Sequence, residues 1–251
     1  MDLERALALF DADVRVDPAA APGTQARRSG PLVLLTGGFN YVSWWELSAD
    51  TAPAAVRNCA AHFRARGEDL LWRVYDHDFP ANLSTLLADE GFEPDPPGTL
   101  MFFDLQRSPV PAPVDGAEVR RVRSIEGLDD FIRANGQAFG QEEPWQRAAL
   151  GERLDDPDLV LLVAYVQGAP VASARLEMAE GRSFGLLFGG GVAPAHRGQG
   201  LYRALVAARA AEAKARGLRF LSIEARDTSR PILERLGFVP AVRETTWVLR
   251  A

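Results

Sequence analysis

Val192-Ala-Pro-Ala-His-Arg-Gly-Gln-Gly-Leu-Tyr202 lies between an apolar, strand-like run ending in Gly189, Gly190 and Gly191 and a long Ala-rich segment of helical pattern. Glycines placed where a strand hands over to a helix leave backbone N–H groups uncovered by side chains. Those amides, with the positive end of the helix dipole, make a seat for phosphate oxygens. Arg197 adds a fixed positive charge with several donors at the mouth of that seat. The segment is therefore a candidate diphosphate-binding loop. Two well-known phosphate loops are excluded. Arg203 stands where a dinucleotide fingerprint starting at Gly198 needs its third glycine, and no Gly-Lys-Ser/Thr triplet is present.

The segment resembles the acyl-CoA loop of the GCN5-related N-acetyltransferase (GNAT) superfamily, where Val-x-Pro-x-x-Arg-Gly-x-Gly leads from the fourth strand into the third helix. Val192, Pro194, Arg197, Gly198 and Gly200 fill every specified position. The resemblance implies an α/β fold with a mixed sheet and acetyl-CoA as co-substrate, with no metal. It also implies a cofactor-binding set of Gly191, Val192, Ala193, Pro194, Arg197, Gly198, Gln199, Gly200, Leu201 and Tyr202. Val192 would pair with the pantetheine through its backbone, and Gly189 to Gly191 would form the bulge that splays two strands. Tyr202 departs from the family, which usually has Gly or Ala there, so its ring narrows the pyrophosphate seat or stacks beside the cofactor.

Composition sets outer bounds. A chain of 251 residues holds one large domain or two small ones. Its 47% hydrophobic and 25% charged content is that of a water-soluble globular protein. A net charge of −6 argues against nucleic acid as the main partner. No apolar run is long enough to cross a bilayer, and Met1-Asp-Leu-Glu-Arg5 lacks the start of a signal peptide. A lone cysteine, Cys59, forbids an internal disulfide, fits a reducing cytoplasm and reads as a packing residue.

Gln106 to Ala117 carries three alternate prolines and reads as an extended linker. It suggests a domain at 1–106, a linker at 107–117 and a catalytic domain at 118–251. The two parts are related. Leu87-Ala-Asp-Glu-Gly-Phe-Glu-Pro94 matches Leu233-Glu-Arg-Leu-Gly-Phe-Val-Pro240, and the spacing persists to Thr99 and Thr245. Both copies follow a strand ending in an acid and a short helix, which resembles the close of a GNAT domain. The first copy has no Arg-Gly-x-Gly, and its counterpart region runs from Pro31 through Trp45 into a helix at Pro53 to Arg66. It is expected to be a degenerate GNAT-like half without a cofactor seat.

In the second part, strands are expected at Glu118 to Val122, Leu159 to Val166, Val171 to Glu177, Phe184 to Val192, Leu218 to Ala225 and Val242 to Arg250. Helices are expected at Gly127 to Phe139, Glu143 to Leu154, Gln199 to Arg216 and Ser229 to Leu236. The unbroken apolar run Leu159 to Val166 suits a strand covered on both faces. In the third of these helices, Leu201, Ala204, Leu205, Ala208, Ala211 and Ala215 form the expected apolar stripe. The order of elements is that of a GNAT domain.

Acyl transfer to an amine needs a group to take the amine proton, an N–H to hold the oxyanion, and a route for thiolate release. Glu224, at a strand end, is the candidate base, with a strand-end ion pair as its equal alternative; Glu177 is a weaker candidate. The superfamily's usual tyrosine acid falls at Leu233, leaving Tyr202 and Tyr165 as candidates. Ser229 and Arg230 open the last helix, where a CoA phosphate or a helix cap accounts equally for Ser229. His196 reads as a loop histidine near phosphates. Tyr75-Asp-His-Asp78 and His62 lack metal-site spacing, and Trp44-Trp45 reads as packing. The expected function is acetyl transfer from acetyl-CoA to a small-molecule or peptide amine by a monomer or homodimer, with no membrane partner. The rival readings are a non-catalytic acyl-CoA sensor and a scaffold whose N-terminal half binds another protein.

Overall fold

The computed structural model describes residues 1–110, 117–141 and 145–251. From the N-terminus come α1 (Leu3–Phe10), widening into a π-helical turn at Asp11–Val16, then β1 (Gln25–Ser29), β2 (Leu32–Thr36) and β3 (Tyr41–Trp45). They are followed by α2 (Ala52–Arg64), β4 (Leu70–Tyr75), α3 (Leu83–Asp89), β5 (Glu93–Pro94) and β6 (Gly98–Asp104). Then come β7 (Glu118–Arg121), α4 (Ile125–Phe139), α5 (Trp145–Gly151), β8 (Leu159–Val166), β9 (Ala169–Glu177) and β10 (Phe184–Val192). A 3₁₀ turn at Pro194–His196 leads to α6 (Leu201–Ala215), β11 (Phe220–Ala225), α7 (Arg230–Arg235) and β12 (Val239–Leu249).

The chain forms two compact units. The first comprises Met1–Met101, Glu224–Glu234 and Val239–Ala251; the second comprises Phe102–Ile223 and Arg235–Phe238. Residues 111–116 of the proline-rich segment, and the expected helix start at Glu143, lie outside the described residues.

In the first unit the strand order is β1-β2-β3-β4-β12, parallel only between β3 and β4. The last strand of the chain thus pairs along β4, with Thr246 opposite Arg73 and Glu244 opposite Tyr75. Trp45, Val56, Phe63, Trp72 and Leu249 share one core cluster. β1 is polar and exposed throughout, as suits a sheet edge, and its sequence carries no alternation that marks a strand. Arg15 is buried against Trp44, Trp45 and Tyr75 and donates to both oxygens of Asp78 at 2.8 Å. Trp44-Trp45 and the Tyr75–Asp78 segment are therefore packing elements around one buried cation.

The second unit orders its strands β11-β10-β9-β8-β7, with only β10 and β11 parallel. Every residue of β8 from Leu159 to Tyr165 is buried, as a strand covered by α4 and α6 must be. Gln167 and Gly168 both have positive φ, 51° and 81°, the backbone of a two-residue hairpin turn. α4 begins two residues before Gly127 because the Ser124 side chain accepts from the Gly127 N–H and caps the helix. The expected stripe on α6 is corrected: Ala211 and Ala215 are exposed, and the buried row includes Leu201, Leu205, Arg209 and Ala213 at every fourth residue. Assigning an arginine to solvent, its usual place, displaces the stripe.

The two Gly-Phe copies fold alike. Leu87 and Leu233 are each fully buried, Phe92 and Phe238 are buried after them, and Gly91 and Gly237 take positive φ of 78° and 95°. Only a residue without Cβ closes a helix this way without strain.

Candidate functional site

The three glycines of β10 serve three different packing demands. Register between β9 and β10 passes from Phe188 opposite Arg175 to Gly191 opposite Ser173, so the β10 side carries one extra residue. Gly189 sits in the left-handed region at φ 54°. A Cβ on Gly190 would lie 3.2 Å from Arg209 Nη2 and 3.3 Å from the Tyr202 ring. A Cβ on Gly191 would lie 2.7 Å from that of Ala138 and 2.9 Å from the Phe139 ring. α4 and α6 thus press on the bulge from opposite faces of the sheet.

Past Val192, the Ala193 N–H donates to Val171 O at 2.8 Å, and Pro194–His196 makes one 3₁₀ turn. Gly198 and Gly200 both adopt positive φ, 78° and 79°, and Gly200 caps α6 without a side chain. The first helical bond runs from Ala204 N to Gly200 O. Among the described residues, no acceptor meets the backbone N–H groups from Gly198 to Arg203. This row of uncommitted donors, at the positive end of a 15-residue helix, suits anionic oxygens.

Arg197 is turned back from the mouth of this seat. Its Nε donates to Val192 O at 3.2 Å and its Nη2 to Ala138 O at 3.4 Å. It therefore engages one backbone group of Val192, the residue expected to pair with pantetheine through its backbone. The Tyr202 ring lies against Gly190 beside Arg209, so the missing side chain at 190 makes room for the bulky residue at 202. Burial pushes the Tyr202 phenol above its usual value, with the Arg209 cation opposing.

Beside Gly189 opens a cavity of about 280 Å³, whose lining includes Asn135, Phe139, Trp145, Gln146 and Arg175. Asn135 is buried there and donates through Nδ2 to Ser173 Oγ at 3.2 Å, while Gln146 Nε2 donates to Asn135 Oδ1 at 3.4 Å. Phe139 and Trp145, at its rim, are exposed at 53% and 56%. Asn135 escapes sequence reading because an amide on a helix carries no spacing signal.

Most of the remaining candidates are engaged by neighbouring groups. In the first unit, Glu224 Oε1 accepts from Arg73 Nη1 at 2.7 Å and from the Tyr75 hydroxyl at 3.2 Å. Glu244, absent from the sequence expectations, lies 3.7 Å from Arg73 Nε, and burial pushes its carboxyl up. Ser229 Oγ donates back to Arg226 O at 3.1 Å, and Arg230 pairs with Glu234 at 2.8 Å. In the second unit, the Tyr165 hydroxyl donates to Asp130 at 2.8 Å, and burial pushes its phenol up to about 12. Glu177 is shared by Arg153 and Arg175, each at 3.4 Å. His196 Nδ1 is buried and, among the described residues, meets no hydrogen-bond partner. Cys59 is buried and its thiol is pushed up to about 12 by burial. Among the described residues, no group of three or more His, Cys, Asp or Glu side chains is placed to hold a metal ion.

Residues 126–238 match the model of the acetyltransferase (GNAT) family. A GCN5-related N-acetyltransferase from Kribbella flavida superposes with a TM-score of 0.70 at 19% identity, covering 98% of this chain and 95% of that one. A tandem GNAT protein from the clavulanic acid biosynthesis pathway gives 0.62 at 18% identity, covering 92% and 84%. A GCN5-related N-acetyltransferase from Sphaerobacter thermophilus gives 0.62 at 18% identity, covering 99% and 91%. No curated protein matches the chain. Residues 126–238 are thus similar to a GNAT domain, and the chain has the fold of GNAT proteins in tandem arrangement. The match over residues 126–238 supports acyl transfer as the general chemistry of that stretch.

Proposed function

We propose that the protein is an N-acetyltransferase that moves an acetyl group from acetyl-CoA to a primary amine of a small molecule or peptide. The observation that carries this reading is the run of uncommitted amides from Gly198 to Arg203, one turn beyond a glycine bulge in β10. That run receives the diphosphate. The Val192 backbone pairs with the pantetheine once Arg197 releases its carbonyl, and the cavity beside Gly189 takes the acceptor. The acetyl thioester supplies an activated acyl carbon. The acceptor nitrogen bonds to that carbon, the C–S bond breaks with its electron pair on sulfur, the thiolate gains a proton, and the nitrogen loses one.

Tyr202 is the proposed donor toward the thiolate, Glu224 the proposed base, and Ser229 a proposed contact of the CoA phosphate. The catalytic domain is proposed at 118–251, the degenerate half at 1–106, and the protein is placed in the cytoplasm. Among the described residues, no helix is long and apolar enough to cross a membrane. A second reading, an acyl-CoA sensor without turnover, is favoured by the buried Leu233 at the family's acid position and by the ion pair that holds Glu224.

Calorimetry with acetyl-CoA tests the binding, and thiol release over a panel of amines, amino acids and aminoglycosides tests the transfer. Heat of binding with thiol release on at least one acceptor is expected. Absence of binding refutes both readings, and tight binding without release on any acceptor favours the sensor.

A further inference from the structure

Arg209 is a guanidinium placed where chains seldom leave one. It is fully buried in α6, beneath the β10 bulge. Its Nε donates to Leu205 O at 3.2 Å and its Nη1 to Arg175 O at 3.4 Å, whereas Nη2 meets no hydrogen-bond partner among the described residues. Among the described residues, no carboxylate pairs with it; the groups around it are carbonyls, the Tyr202 phenol and the backbone of Gly190. Burial pulls the guanidinium down to about 10, so it stays charged at neutral pH. A buried cation without a counter-ion is strongly unfavourable, and an apolar residue at this point of the row Leu201, Leu205, Ala213 would pack without that penalty.

What the cation faces is specific. Nη2 and Nη1 lie 3.2 and 3.5 Å from where a Gly190 Cβ would stand, so the guanidinium rests directly on the bulged strand. A Cβ at 190 would stand against the guanidinium more tightly than ordinary van der Waals contact allows. The bulge has no carboxylate of its own to neutralise it, and the low-dielectric packing of α6 against β9 and β10 leaves its field poorly screened.

We propose that Arg209 is a positioning residue for acyl transfer: it props the β10 bulge from beneath and lends positive potential to the backbone segment at which the acyl oxygen acquires charge. This inference rests on the proposed use of acetyl-CoA. Arg209 touches neither substrate; it acts through the peptide groups of Gly190 and its neighbours. The oxyanion that forms as nitrogen bonds to carbon is thereby stabilised by a fixed charge that needs no rearrangement. Tyr202, which lies against the same glycine, completes the packing that keeps the guanidinium in place.

The test reads the thioester rather than turnover. Infrared difference spectra with acetyl-CoA labelled at the acyl carbonyl by carbon-13 report how strongly the protein polarises that bond. The wild-type protein is expected to shift the carbonyl band below its position in buffer. Arg209→Met is expected to lose most of that shift while still binding CoA lacking the acetyl group, whose diphosphate is held by backbone amides rather than by the guanidinium. Arg209→Lys, which keeps the charge, is expected to retain the shift. If Arg209→Met fails to fold by circular dichroism, the lysine variant decides alone. An unchanged band in folded Arg209→Met, or a band lost in Arg209→Lys, overturns the proposal. A wild-type protein that does not bind acetyl-CoA overturns the proposed function and this inference with it. Binding with an unshifted carbonyl overturns the inference alone.

Discussion

Gly200 offers the sharpest test of the diphosphate seat, because two substitutions there separate backbone strain from charge. Its φ of 79° puts it in the left-handed region at the start of α6. Gly200→Ala adds a Cβ that this conformation disfavours by about 1–2 kcal/mol, and in a chain of this size the melting temperature should fall by roughly 2–8 °C. Gly200→Glu adds the same strain and a carboxylate within reach of the helix N-terminus. If that carboxylate stands ~6 Å from a diphosphate carrying two charges, an effective dielectric of about 40 gives about 3 kcal/mol of repulsion. That is roughly a hundredfold in dissociation constant. Calorimetry with acetyl-CoA should therefore rank affinity as wild type, Gly200→Ala, Gly200→Glu. The gap between the two variants should narrow when salt rises from about 0.05 to about 0.5 M, as the Debye length falls from about 14 to about 4 Å. Equal affinities for the two variants at low salt, or a gap indifferent to salt, would remove the diphosphate from this loop.

Glu224→Gln separates base from ion pair: loss of the Arg73 contact should lower stability by about 1–2 kcal/mol, and a catalytic base adds a fall in turnover of about 10²-fold or more. A lower melting temperature with unchanged turnover would leave Glu224 as an ion-pair residue only. For Glu244, burial holds the folded carboxyl above its ordinary 4.5, so its contribution to stability is present below that value and lost as pH rises through the raised one. Glu244→Gln should thus gain in melting temperature relative to wild type between about pH 4 and about pH 7, and a difference that stays flat would contradict the assignment. Cys59, buried with its thiol pushed up to about 12, should ignore an aromatic disulfide reagent until denaturant is added. Rapid labelling of the folded protein would show that α2 opens locally.

The parts of this fold legible in the sequence are those whose signals are local. Leu159–Val166 and Phe184–Val192 fall at the residues expected because continuous apolar runs bounded by turns leave no other reading. The Gly-Phe copies keep equivalent burial and backbone because a left-handed glycine closing a helix is written in one residue. What escapes is set by pairing over long separations. The association of β12 with β4, across more than half of the chain, depends on partners that no local window contains. The exposed strand β1 escapes for the opposite reason: its side chains face water, so nothing in Gln25–Ser29 alternates.

The candidate site divides along the same line. Its proposed anion seat is local, made of glycines and peptide groups in consecutive positions, and the motif from Val192 to Gly200 carries that proposal. Its charged surroundings are not. Arg209, Asn135 and Arg73 gain their meaning only from what folding places beside them: a bare strand at Gly190, Ser173 on the strand beneath α4, Glu224 at the end of another strand. Tyr202 links the two kinds of information. By sequence it is a large ring at a position that favours a small residue. In the fold that excess is taken up by Gly190, a glycine that a bulge alone does not require, since Gly189 already supplies the left-handed turn. Glycine at 190, tyrosine at 202 and arginine at 209 are therefore one packing solution, and restoring a side chain at 190 should be tolerated only when the residues at 202 and 209 shrink with it.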